Sequence, residues 1–251
     1  MPMTKSYSIL RGVLTLCALT ILVPHTVFAS GEVIDAFTVH IELQTNSSAL
    51  VQEEIVYNFG EDAVGKHGIY RNIPKVYTTP DGREHNIEIS SVMVTDGQGN
   101  LRQTSCEGCQ SGGNYMKLKI GEPDVTISGR QLYVIRYTVW GGVNQLRDKD
   151  EFYWNVTGNE WKERIINVRA DIVLPMPFQE SAISAVCYVG YKGSTDRCSA
   201  STTPQEGGVV TSVRYTHEGI LNTNQGMTIA VGIPKNVFVI APTSNVKKKN
   251  K

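Results

Sequence analysis

The 251-residue chain lacks an apolar run long enough to cross a membrane. The longest, GVLTLCALTILV over residues 12–23, falls short of the roughly 20 residues a spanning helix needs, and Pro24 closes it. A cationic surplus is missing too. The chain holds 24 basic and 24 acidic side chains; with two basic residues near the N-terminus and four in the closing KKKNK set aside, residues 30–246 carry 18 against 24, about −6. That body has no basic footprint for nucleic acid. No segment keeps a helical period for long, and no repeat recurs at a fixed spacing. The G-x-S-x-G elbow of serine hydrolases and the H-E-x-x-H of zinc proteases are both absent, and His40, His67, His85 and His217 are scattered along the chain. No catalysis, cofactor or metal is expected from motifs.

What is there begins with an export signal. Lys5 and Arg11 give a positive start, the twelve-residue apolar run follows, and VFA ends at Ala29 with a pattern a signal peptidase accepts. Residues 1–29 are read as a signal peptide, residues 30–236 as one exported domain, and 237–251 as a disordered tail. Cys17 follows the bulky Leu16 and is no lipoprotein cysteine. The terminal lysines read as a solvated end, with contact to an anionic membrane or cell wall as the sharper alternative.

The body alternates. In FTVHIEL the apolar positions are Phe37, Val39, Ile41 and Leu43; VQEEIVYNF places Val51, Ile55, Tyr57 and Phe59 on one face, LYVIRYTVW places Tyr133, Ile135, Tyr137 and Val139, and MTIAVGI places Met227, Ile229, Val231 and Ile233. A period of two is the mark of a half-buried strand. IINVRADIVL, IEISSVMV, MKLKI, ISAVCYV and VVTSVRY add further strands, and NSS, PDG, DGQGN, GEP, SGR and EGG supply turns between them. Ten or so short strands without strand–helix alternation predict an all-β fold, an antiparallel β-sandwich of immunoglobulin-like or related type.

Four cysteines follow the signal. Pairing Cys106 with Cys109 and Cys187 with Cys198 closes the shortest loops, and an exported protein favours structural disulfides. A redox pair in CEGC would want a helix start after its first cysteine, where glycines stand instead. A zinc site would need both pairs to converge.

Two stretches are dense enough to hold a site. KHGIYRNIP, residues 66–74, offers His67, Tyr70 and Arg71 as an anion or carboxylate cluster, since arginine presents a planar fork and histidine a titratable donor. The plainer reading makes Arg71 a buried brace stacked on a ring. DEFYWNVTGNEW, residues 150–161, alternates Phe152, Trp154 and Val156 toward a core against Tyr153, Asn155 and Thr157 outward or into the sheet edge. Tyr153, Asn155 and Trp161 are its binding candidates, and Trp140, Tyr153, Trp154, Trp161 and Tyr191 are the rings a sugar could stack on. Glu151 and Glu160 beside tryptophans suit a hydrolase only weakly. Asp148, Asp150 and Glu151 could hold calcium loosely, since Tyr153 stands where an EF-hand loop needs glycine.

Taken in order, KHGIYRNIP, GEPDVTISGRQLYVIRYTV, DEFYWNVTGNEW, INVRADIVLP and MTIAVGIPK resemble the N-terminal ectodomain of a family of predicted membrane proteins, domain of unknown function 2207, YciQ-like. The resemblance runs from about residue 32 to 236. It implies an extracytoplasmic β domain attached to a membrane part, with no assigned activity and so no catalytic residue to carry over. Members of that family continue into membrane helices, whereas VFVIA near the end of this chain is five apolar residues. The reading is an exported cell-envelope ectodomain, periplasmic, extracellular or on the outer face of the cytoplasmic membrane. It acts as a structural or protein-interaction module. Its alternatives are a carbohydrate-binding module for envelope polysaccharide and a hydrolase using carboxylates near Trp161.

Overall fold

Alternating side chains become strands almost throughout the computed structural model, which describes residues 31–78, 84–110 and 113–239 together with positions 1 and 3. The signal segment and the lysines beyond residue 239 lie outside the described residues. In chain order the strands are β1 (Val33–Leu43), β2 (Ala49–Asn58), β3 (Gly68–Pro74), β4 (Val76–Thr78), β5 (Glu84–Asn86) and β6 (Glu88–Thr95). Next come β7 (Thr104–Glu107), β8 (Tyr115–Gly121), β9 (Arg130–Trp140), β10 (Val143–Gln145), β11 (Lys149–Asn155) and β12 (Arg164–Ile165). The last are β13 (Val168–Gln179), β14 (Ser184–Gly190), β15 (Asp196–Arg197), β16 (Ser199–Thr202), β17 (Val209–His217) and β18 (Gly226–Pro234). Two 3-10 turns, Glu180–Ala182 and Glu206–Gly208, interrupt them.

The large sheet runs β16-β17-β13-β1-β2-β9-β6, with β12 also paired to β1. Five strands, β10-β11-β18-β14-β15, form a second sheet, β3-β8-β7 a third, and β4-β5 a separate hairpin. All pairings are antiparallel except those of β1 with β12 and β13. The fold is an all-β antiparallel sandwich with a third, smaller sheet, not the two-layered arrangement alone.

One face of the large sheet carries the core. Phe37, Val39, Ile41, Ile55, Tyr133, Ile135, Ala170 and Ile172 are all buried to within 1 % of full. Ile229, Val231 and Ile233 face them from β18, and the Tyr215 hydroxyl donates to the Ala230 carbonyl at 3.0 Å, tying β17 to β18. The three-stranded sheet covers the rest of that face through Ile69, Ile73, Leu118 and Ile120. Both cysteine pairs are disulfides, Cys106 with Cys109 and Cys187 with Cys198. The second staples β14 at its buried Cys187.

Gly68 and Gly121 show how tightly β3 and β8 approach. They face each other in register at φ of 154° and 138°. A Cβ on Gly68 would stand 1.8 Å from the Ile120 carbonyl oxygen, and one on Gly121 would stand 1.9 Å from that of His67. Neither position admits a side chain without moving backbone.

Candidate functional site

The acidic Glu53 occupies an inward position of β2, between Val51 and Ile55, and is fully buried. A carboxylate in such a place needs a partner. Arg71, at an inward position of β3 and 1 % exposed, provides it: Nε and Nη2 donate to the two Glu53 oxygens at 2.7 and 2.8 Å. Nη1 donates to the carbonyls of Thr157 and Asn72 at 2.6 and 3.0 Å, and Nη2 to that of Val156 at 3.0 Å. All five guanidinium N–H groups are thereby used. Tyr137 of β9 closes the cluster, its hydroxyl donating to Glu53 at 2.5 Å. Burial alone would lower the Arg71 pKa, but the charge of Glu53 and its hydrogen bonds outweigh it and hold the value above normal. Burial first, then Glu53, pushes Tyr137 well up.

Arg71 is therefore a brace where three sheets meet, stacked over Phe37 at 5.2 Å and Trp161 at 6.0 Å. Trp161 is only 6 % exposed, lies edge-on to Phe37 at 6.1 Å, and donates from Nε1 to the Thr157 carbonyl at 2.9 Å. Its face is not open for stacking on a sugar. Phe152, Trp154 and Val156 point inward, 1, 3 and 0 % exposed. Thr157, expected outward or at the sheet edge, is fully buried, because the strand has ended at Asn155 and the chain has turned. Its hydroxyl accepts from Met227 N and donates to the Gly158 carbonyl.

Beside this junction lies a cavity of about 520 Å³, inside the range of roughly 300–1,000 Å³ typical of ligand clefts. One wall is β3 with its lead-in, carrying His67, Gly68 and Tyr70; the opposite wall is residues 160–163, and Arg71 and Trp161 form the inner end. Four of the six residues singled out from the sequence, His67, Tyr70, Arg71 and Trp161, thus line one space. The other two lie elsewhere. Tyr153 packs its ring 5.0 Å from Tyr77, which stacks on His85 at 4.8 Å. Asn155 shapes the corner, accepting from Gly158 N at 3.0 Å and donating to Asn159 at 3.1 Å.

The cavity mouth holds a charged group that the sequence patterns did not flag. Tyr57 donates to Glu32 at 2.6 Å, and Lys66 pairs with the other Glu32 oxygen. Burial foremost, then Glu32 and Glu163, raises the Tyr57 pKa far above normal; the hydrogen bond to Glu32 raises that of Lys66. The signal available in the sequence was Tyr57 at the end of an inward-facing row, where its hydroxyl had to find an acceptor. His67 donates from Nδ1 to the Val125 carbonyl, 2.9 Å away, fixing the loop beyond β8.

The carboxylates weighed for hydrolysis are divided. Glu160 lines the cavity and accepts from Tyr115 at 3.4 Å, whereas Glu151 lies on the outer face of the five-stranded sheet, its pKa raised by burial. Asp150 and Glu151 alternate to opposite faces of β11; Asp150 is buried and accepts from Lys235 at 2.6 Å. No group of three or more metal-ligating side chains occurs among the described residues. Trp140 and Tyr191 are exposed, 37 and 61 %.

Residues 33–233 match the family described as predicted membrane protein, DUF2207, N-terminal domain. The chain belongs to this family. It is 28 % identical over 172 residues to the Escherichia coli K12 protein called uncharacterized protein YciQ, covering 66 % of this chain and 26 % of that one. The chain thus matches about a quarter of the length of this relative. Among solved structures, leukotriene A4 hydrolase from Saccharomyces cerevisiae is similar at 8 % identity and a TM-score of 0.43, over 80 % of this chain and 29 % of that one. The M1 zinc metallopeptidase from Deinococcus radiodurans is similar at 9 % and 0.43, over 80 and 42 %. Likenesses this slight bear on neither fold nor activity. No helix among the described residues is long and apolar enough to cross a membrane. Family and disulfides together fit a non-cytoplasmic domain.

Proposed function

We propose that this is an exported ectodomain at the cell envelope that acts as a protein-interaction module, with the cavity between β3 and residues 160–163 as its recognition site. One observation carries the reading: an open cavity of about 520 Å³ with charges of both signs, built on a rigid inner end in which every Arg71 donor is satisfied. A preorganised wall lowers the ordering cost of binding, and mixed charges favour choice of partner over bulk adhesion. The carbohydrate reading loses its best ring because Trp161 is buried against Phe37.

The experiment is site-directed photocross-linking in whole cells. A cross-linking side chain in place of Tyr70, at the cavity, should form adducts with a discrete protein; one in place of Trp140, on the opposite face of the large sheet, should not. Equal labelling from both positions, or adducts only with polysaccharide, removes the reading.

A further inference from the structure

The cavity borders a strand edge that pairs with no strand among the described residues. Hydrogen-bonded pairs alternate along an antiparallel ladder. Lys75 N donates to the Asn114 carbonyl and Gly121 N to the Gln103 carbonyl. With the β3–β8 register, these bonds direct the backbone groups of Ile69, Arg71 and Ile73 toward β8 and those of Gly68, Tyr70 and Asn72 away from it. Among the described residues β3 pairs with β8 alone, so the second set lies on a free edge. At Asn72 that edge is sealed: Arg71 Nη1 reaches its carbonyl and bridges to Thr157, while Nη2 reaches Val156. The guanidinium sits where the backbone of another strand would otherwise pair. At Gly68 and Tyr70 the same gap continues, and there it is the cavity.

We infer that this gap takes an extended polypeptide segment, which adds to β3 as a fourth strand through the backbone groups of Gly68 and Tyr70. The inference rests on the interaction reading above and names its partner chemistry. Strand addition draws its affinity from main-chain hydrogen bonds and its selectivity from the flanking side chains. Here Lys119 of β8 and Lys162 of the opposite wall line the cavity with no carboxylate partner among the described residues. Glu32 accepts from Tyr57 and Glu160 from Tyr115, hydroxyl donors that leave both carboxylates charged. The walls thus carry both signs, and Lys119 and Lys162 are the ammonium groups that a carboxylate on the added segment would meet.

The test uses the exported domain, a synthetic seven-residue peptide alternating valine and threonine with glutamate at its centre, the same peptide N-methylated on alternate backbone amides, and a chitooligosaccharide. Amide hydrogen exchange is followed by NMR. The amides of Gly68 and Tyr70 should exchange fast in the free protein and slow at least tenfold when the glutamate peptide binds, while those of Ile69 and Arg71 stay slow throughout. N-methylation should abolish binding. Compared with Tyr70→Ala, which drops the same ring, Tyr70→Pro further removes an outward N–H from an edge strand, where proline is tolerated, and should weaken binding about tenfold more, as the loss of one well-made hydrogen bond implies. Lys162→Glu should weaken the glutamate peptide and not its lysine-centred counterpart. Slow exchange at Tyr70 in the free protein, undiminished binding of the N-methylated peptide, binding of the chitooligosaccharide instead, or no binding would each overturn strand addition. Protein adducts from position 70 that persist beside such a result leave the interaction reading standing; loss of those adducts removes both.

Discussion

The two halves of the β3 edge are built from neighbouring residues and end up opposite in character. At Asn72 the edge is closed by Arg71, whose guanidinium joins Glu53, Val156 and Thr157 in one dry cluster. At Tyr70 and Gly68, two and four residues back along the strand, the same edge faces open space, and the nearby ion pair of Glu32 with Lys66 is half in water, with side-chain exposures of 24 and 42 %. Each half also contains a tyrosine that donates to a glutamate: Tyr137 to Glu53 inside, Tyr57 to Glu32 at the mouth. Similar groups thus do different work according to burial. A buried ion pair contributes little net stability over apolar residues but is costly to break; an exposed pair is cheap to make and cheap to lose.

Arg71→Met should show the largest effect. It leaves a fully buried Glu53 without its counter-charge and takes the Arg71 donors from the Asn72 and Val156 carbonyls, while that of Thr157 keeps Trp161 Nε1; such a change costs about 3–5 kcal/mol, or on the order of 10 °C in Tm for a domain of this length. The Arg71→Met, Glu53→Leu pair should lose less than Arg71→Met alone, since no unpaired charge is left behind. A double variant less stable than the single one, measured by thermal unfolding, would show that the guanidinium matters through the carbonyls and not through Glu53.

Next comes Trp161→Ala, which removes the ring that backs both halves. Burial at 6 % exposure and the bond to Thr157 place it with core aromatic deletions, about 3–5 kcal/mol. Trp140→Ala, on the far face at 37 % exposure, should cost under about 1 kcal/mol. If the two variants melt together, the cavity wall is not the packed surface described.

Much of the core was legible in the sequence and much of the site was only half legible, for one reason. Strand faces announce themselves by alternating apolar residues, and β1, β9, β13 and β18 did so. Glu53 and Arg71 each sit at an inward position and break that alternation, so β3 reads as a polar cluster when it is a strand. The gap in VQEEIVYNF at Glu53 and the flanking isoleucines of GIYRNIP are matching signals: one inward carboxylate and one inward guanidinium, each requiring the other. What no pattern could supply is adjacency. β2 and β3 meet across the sandwich and residues 156–163 return from the far end of β11, and long-range pairing of that kind is not written in local periodicity. Thr157 was misplaced for the same reason: extrapolating a strand past Asn155 ignores the turn that Asn155 and Gly158 impose.

The two tyrosines give the finest comparison. Tyr137→Phe leaves a buried carboxylate short of one donor, which costs about 1.5–3 kcal/mol for a bond to a charged group; Tyr57→Phe, at a wetter acceptor, should cost about 1 kcal/mol or less. Alkaline pH separates them from ordinary packing losses. Tyr57 and Lys66 both have folded pKa values raised above their unfolded ones, near 10 for tyrosine and lysine, the tyrosine by burial and then by Glu32 and Glu163, the lysine by its bond to Glu32. Above pH about 10 the folded protein therefore holds protons that the unfolded chain releases, so stability falls as pH rises, while below pH about 10 the contribution is fully present. The advantage of the unmodified chain over Tyr57→Phe, read from thermal unfolding at pH 8 and at pH 11, should be larger at pH 8. Equal differences at the two values would mean that the Tyr57 proton is not held by Glu32, and that the mouth of the cavity is not the charged group drawn here.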